Sequence, residues 1–300
     1  MNRFYYFLML LAAVFSFASC SDDDGGGSSG GGRNANRNIV TDEPAVARLE
    51  FPRLKEGNNK VIVYRTADYR AYDADMVNFA VEWDCDKKSQ RWSCYQMHQG
   101  YGGKYNRVLG LVYPFDYTHL DADDYWDRDY IRGSGFDHGH ICPNADRKFS
   151  YDANSQTSYM TNMQPQYASF NGRSTNQSLW YRLENKVRGW VPKAAGDTLY
   201  VCKGGTIDSE DNILQRIGGK LIVPKYFFVA VMLKTPSYSR AIGFYLEHTS
   251  RSTANENLAD YAVSIDELEE LTGIDFFCNV PDNTEDHIEQ KAYLVDWGLE

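Results

Sequence analysis

The chain has 300 residues, 43% hydrophobic and 14% aromatic, which is enough apolar material to bury a large core and excludes a disordered chain. Its formal net charge of −10 at pH 7 excludes a protein that coats nucleic acid through a broad basic surface. Charge is segregated, however. Ile131 to Lys193 carries eight Lys or Arg against four Asp or Glu, a net of +4 that leaves −14 for the remainder, so a local basic site stays open.

The N-terminus opens with Arg3 and an apolar run from Phe4 to Phe17, short for a membrane span and suited to a signal-peptide core. Ala18-Ser19-Cys20 places small residues directly before a cysteine and resembles the lipobox of bacterial lipoproteins, with Phe17 where that pattern prefers Leu. Residues 1–19 are therefore read as a signal peptide and Cys20 as the lipidated mature end; an ordinary cleaved signal is the alternative. Asp22 to Asp24 and the Gly/Ser tract to Gly32 cannot pack, so residues 20–45 read as the lipidated cysteine with a flexible tether. The acidic triplet also resembles surface-export signals of some Gram-negative lipoproteins. The expected location is the outer membrane or cell surface of such a bacterium, held through Cys20, or otherwise the periplasm or medium.

Residues 46–300 show no internal repeat and no second linker, and read as one domain. Strands are predicted at Lys60–Tyr64, Met76–Trp83, Arg91–Met97, Thr198–Lys203, Tyr226–Leu233 and Ala241–Leu246, each rich in β-branched or aromatic residues. Helices are predicted at Gln177–Arg188, with Leu179, Leu183 and Val187 four apart, and at Ser264–Thr272, where Ser264 and Glu267 match a capping box. The class is α+β, a central and mainly antiparallel sheet with flanking helices. Apart from Cys20 there are five cysteines. Cys85 and Cys94 flank a polar turn, so a disulfide across that hairpin is expected. No Cys/His quartet supports a structural zinc.

The densest polar cluster is Gly133-Ser134-Gly135-Phe136-Asp137-His138-Gly139-His140. An amide-rich loop follows, Thr161-Asn162-Met163-Gln164-Pro165-Gln166, and then Asn176 to Glu184, an amide at the start of a helix with a carboxylate two turns on. These three motifs, in this order, resemble the DNA/RNA non-specific endonuclease family, the secreted sugar-nonspecific nucleases with a ββα-metal active site. The resemblance extends from about Lys60 to Phe277, including Val223 to Phe228 and Ser264 to Phe277. It departs at one point: the family's first motif ordinarily reads Asp-Arg-Gly-His, and His138 holds the arginine position.

The resemblance implies a phosphodiester hydrolase acting on DNA and RNA, with His140 as general base and Asn176 as ligand of a Mg²⁺ ion that Mn²⁺ can replace. No protein partner is expected. The residue types suit that chemistry, which needs a base for water and a cation for the phosphorane. Imidazole titrates near neutral pH, and a neutral amide oxygen leaves the hard ion's charge for the phosphate. A simple helix cap is the competing reading of Asn176. Glu184 lies eight residues on, about 12 Å of helical rise, which gives it a role at one water's remove from the ion; the alternative is an i, i+4 pair with Arg188. Asp137 is expected to orient the motif and Asn162 to position the catalytic loop or the substrate phosphate; Arg107 falls where the family places a phosphate-binding arginine, a plain surface arginine being the alternative. Arg147 and Lys148 are read either as tracking the nucleic-acid backbone or as solvated surface charge. Two readings compete with the enzyme: an H-x-H transition-metal site of His138 and His140 with Asp137 as third ligand, and a surface lipoprotein that binds nucleic acid without cutting it.

Overall fold

The computed structural model describes residues 33–69, 73–99, 102–103, 105, 113–172 and 176–299. In chain order the strands and helices are β1 (Asn59–Arg65), β2 (Val77–Asp84), β3 (Ser89–His98), β4 (Asp137–His140), α1 (Tyr151–Gln156), β5 (Met163–Gln166), α2 (Leu179–Gly189), β6 (Thr198–Gly205) and β7 (Ile213–Ile217). They continue with β8 (Leu221–Pro224), β9 (Tyr226–Lys234), β10 (Ser239–Glu247), β11 (Ala262–Val263), α3 (Ile265–Thr272) and α4 (Asp282–Glu289). The protein is α+β, as its sequence predicts. One seven-stranded antiparallel sheet runs β1-β2-β3-β6-β9-β10-β11, and β4-β5 and β7-β8 form separate antiparallel pairs. No helix among the described residues is long and apolar enough to cross a membrane.

The six predicted strands all lie in the large sheet because β-branched and aromatic side chains suit a pleated surface packed on both sides. Strand β9 shows this directly. Phe227, Val229, Val231 and Leu233 join one core, while Phe228, Ala230 and Met232 join the other, as the two-residue period of a strand requires. The first core is closed by α2 through Leu179, Trp180, Leu183 and Val187, each worth about 1.5–3 kcal/mol when fully buried. The second is closed by Ile265 and Leu268 of α3 and Ile288 of α4. The pair β4-β5 belongs to the first side, with Ile141, Cys142 and Met163 in that core.

Three readings of the sequence change here. Cys85 and Cys94 are not bridged, and all five described cysteines are free and buried. Cys85 belongs to the first core and Cys94 to the second, so the sheet stands between them; Cys94 instead faces Cys202 of β6. The packed domain also begins earlier than residue 46. Asn34 Nδ2 donates to the Val280 carbonyl at 2.7 Å, and Asn38 Nδ2 donates to the Val46 and Pro52 carbonyls, so residues from Arg33 are tied to the fold. Finally, α2 starts at Leu179 and is capped by Ser178, whose Oγ accepts from Tyr181 N at 3.2 Å.

Candidate active site

Strands β4 and β5 pair antiparallel, with Asp137 opposite Gln166, His138 opposite Pro165, Gly139 opposite Gln164 and His140 opposite Met163. Neither segment has the apolar alternation that marks a strand. Asn162 holds them instead. Its buried side chain accepts from Cys142 N at 2.8 Å and Ser93 Oγ at 3.1 Å, and donates to the carbonyls of Cys142 at 2.9 Å and Thr157 at 2.8 Å. With 0% exposure and all these bonds made within the protein, Asn162 has no route to a substrate phosphate. Its placement is that of a positioning residue for the turn after His140.

After β5 the chain passes His248, whose Nε2 accepts from Tyr167 N and whose Nδ1–H donates to the Pro224 carbonyl, both at 2.8 Å. Burial lowers the His248 pKa to about 4, so the ring is neutral and serves as a fixed bracket between β5 and β8. The loop then crosses Gly172, where a side chain would meet Tyr181 Cβ at 2.6 Å and φ is +78°, a conformation that suits glycine. Asn176 follows with φ +53°, in the left-handed region that asparagine tolerates better than most residues. It is exposed and does not cap α2, since Ser178 does.

A cleft of about 600 Å³ lies between β4, this loop and α2, and its lining includes Asp137, His138, His140, Asn176 and Glu184. The Asp137 carboxylate accepts from Asn171 Nδ2 at 3.3 Å. His138 and His140, two apart on a strand, both reach Tyr113: the His138 ring stacks on it at 3.9 Å and the His140 ring meets it edge-on at 5.9 Å. His138 Nε2 lies 2.8 Å from Asp129 Oδ2. Burial raises the Asp129 pKa, but the hydrogen bond and charge of His138 outweigh it and hold that carboxylate below its ordinary range. Glu184 accepts from Lys203 Nζ at 2.8 Å, and Lys203 is 2% exposed, lying over the Trp180 ring. Arg188 is bonded to Asp146 at 2.7 Å, so the i, i+4 partnership with Glu184 gives way to these two tertiary pairs.

Two expected phosphate contacts fall elsewhere. Arg147 is 0% exposed, its guanidinium 4.4 Å from the Tyr95 ring and donating to the Gln96 carbonyl, so it cannot track a nucleic-acid backbone. Lys148 lines a different cavity with Phe149 and Arg188. Arg107 and Cys20 lie outside the described residues. Sequence reading missed Tyr113, Asp129, Asn171, Arg132 and Lys203. Only Lys203 carried a signal, as a lone cation inside an otherwise apolar strand. Arg132, which is 67% exposed, brings a positive charge to the cleft wall.

This geometry is that of a β-strand pair followed by a helix, with imidazole, amide and carboxylate groups lining one cleft. Comparison with known proteins agrees. The DNA/RNA non-specific endonuclease family matches residues 58–283, and the chain belongs to that family. It is 29% identical over 227 residues to a nuclease of Nostoc sp., covering 71% of this chain and 76% of that one. It is 33% identical over 168 residues to the mitochondrial nuclease of Saccharomyces cerevisiae, covering 51% of this chain and 49% of the yeast protein, so it spans about half the length of that relative. Among solved structures, the complex of EndoG with EndoGI aligns with a TM-score of 0.57 at 16% identity over 69% of this chain and 85% of the other, a likeness of fold.

Proposed function

We propose that the chain is a magnesium-dependent endonuclease that hydrolyses DNA and RNA phosphodiester bonds with little sequence preference, with His140 as the general base. The observation that carries this reading is the convergence of Asp137, His138, His140, Asn176 and Glu184 on one open cleft. His140 takes a proton from the attacking water. Asp137, held by Asn171, orients β4 from its first residue, and His138, set between Tyr113 and Asp129, supports charge on the phosphate.

The donors fit a hard cation. The Asn176 amide is released from capping by Ser178 and stands exposed on the cleft wall, and the carboxylates nearby are also oxygen donors, which suit Mg²⁺ or Mn²⁺. Asn176 would hold the ion directly, with Glu184 at one water's remove, and the ion would supply positive charge to the phosphate. The H-x-H alternative loses support: His138 Nε2 is engaged by Asp129, and among the described residues Asp137, His138 and His140 do not form a three-ligand cluster. Export and lipidation at Cys20 belong to the same proposal, supported by the small residues before that cysteine and the Gly/Ser tract after it.

Cleavage of supercoiled plasmid and of single-stranded RNA with Mg²⁺, with EDTA, and with His140→Ala tests the reading. Chelator-sensitive cleavage of both substrates is expected, with His140→Ala slower by at least about two orders of magnitude. Cleavage indifferent to EDTA would reject the metal, a wild-type rate in His140→Ala would reject the base, and retention of nucleic acid without cleavage would leave the binding-only reading.

A further inference from the structure

A second cluster of chemistry lies in the helical layer on the other side of the sheet from His140, where α3 and α4 cover the second core. Asp266 in the first turn of α3, Glu269 one turn later and Glu289, the last residue of α4, each place a carboxylate oxygen within 4.8 Å of the other two. Positions i and i+3 share a helix face, which explains how Asp266 and Glu269 come to the same point. Glu289 is only 5% exposed, and its Oε1 is fully buried with no hydrogen-bond partner. Among the described residues, none of the three has a lysine or arginine partner. Surrounding charge has the same sign: Asp275 and Glu285 also act on Glu289. Asn36 Nδ2 donates to Asp275 and Glu285 and supplies nothing to Glu289.

A buried carboxylate normally finds a cation or a hydrogen-bond donor, because leaving it alone costs several kcal/mol. We propose that Asp266, Glu269 and Glu289 form a divalent cation site of calcium type that staples α3 to α4. Calcium takes oxygen ligands at about 2.3–2.6 Å, so ligands on opposite sides lie about 4.6–5.2 Å apart. Glu269 Oε1 already accepts from Phe276 N at 2.7 Å, so the other carboxylate oxygens supply up to about five of the six to eight positions and water completes the shell. Magnesium, with bonds of about 2.0–2.1 Å and a strict octahedron, requires a tighter shell. The site is structural and separate from cleavage, since its ligands and the cleft residues sit on opposite sides of the sheet.

Calcium titration of the whole exported chain tests this, followed by calorimetry and by thermal unfolding, with Mg²⁺ kept in excess to fill the cleft. Wild type is expected to bind one Ca²⁺ and to unfold at higher temperature with it. Glu289→Gln, close in shape, is expected to lose the response while cutting nucleic acid at the wild-type rate. Asp266→Asn, at an exposed position, provides a second variant should Glu289→Gln fail to fold, with affinity lower by at least about tenfold. Asn176→Ala is expected to bind Ca²⁺ as wild type does. No calcium response in wild type, equal affinity in wild type and the α3–α4 variants, or binding lost only in Asn176→Ala would each overturn the proposal.

Discussion

His248 is 2% exposed and packed among Tyr167, Phe170 and Phe227, with ring centroids at 4.7, 5.0 and 5.1 Å. Both its nitrogens are used, one accepting from Tyr167 and one donating to Pro224, and a proton on Nε2 would break the first bond. Burial is the main cause of a folded pKa of about 4, against an ordinary value of 6.5. Between those values the unfolded chain binds a proton that the folded chain refuses, so stability falls as pH falls through this window. At about 1.4 kcal/mol per pH unit the gap corresponds to about 3 kcal/mol, fully present above about pH 7 and lost by about pH 4. Urea unfolding of wild type and His248→Gln across that range isolates it. Glutamine can keep one donor and one acceptor but does not titrate. The raised carboxylates Glu269, Glu285 and Glu289 act in the opposite direction, being favoured in the folded state as they protonate, and they cancel between the two proteins. The stability advantage of wild type over the variant should shrink by about 3 kcal/mol from pH 7 to pH 4. An advantage that stays constant, or grows, would refute the assignment of His248 as a neutral bracket.

Asn176→Ala should raise the Mg²⁺ concentration needed for half-maximal cleavage by about tenfold or more, since the ion loses a direct ligand; an unchanged metal titration removes Asn176 from the site. His138→Arg should keep activity and extend it to higher pH, because arginine stays charged and can still pair with Asp129; superimposable single-turnover pH profiles would make His138 structural. Gly139→Ala places Cβ 2.2 Å from Gln166 Cδ, and because Gln166 is fully buried the expected cost is about 1–3 kcal/mol in denaturant unfolding, with a wild-type midpoint contradicting it. Cys20→Ser should abolish lipid labelling and release the chain from membranes, and equal retention in the membrane fraction would reject the anchor.

The strands of the large sheet were legible because their signal is local. A segment such as Tyr226 to Leu233 holds enough β-branched and aromatic residues to declare itself. The helix of Ser264 to Thr272 was legible for the same reason, its capping serine and glutamate being three residues apart. Strands β4 and β5 were not, since Asp-His-Gly-His and Met-Gln-Pro-Gln carry no strand pattern and depend on Asn162 to hold them together.

The sequence by itself determined the chemistry on offer: His138 and His140 two apart, Asn176 and Glu184 eight apart, and the family to which their order points. Tertiary structure alone decided how those groups are held. Asp129 reaches His138 across nine residues, Lys203 reaches Glu184 across nineteen, and His248 reaches Tyr167 across eighty-one; no local propensity encodes such pairings. It also decided what the motifs could not do. Which face of a sheet a residue occupies follows from strand register, so Cys85 and Cys94 ended on opposite sides. Arg147 was drawn beneath Tyr95 and away from any substrate, because the contacts made by a charged side chain are set by what the fold packs against it.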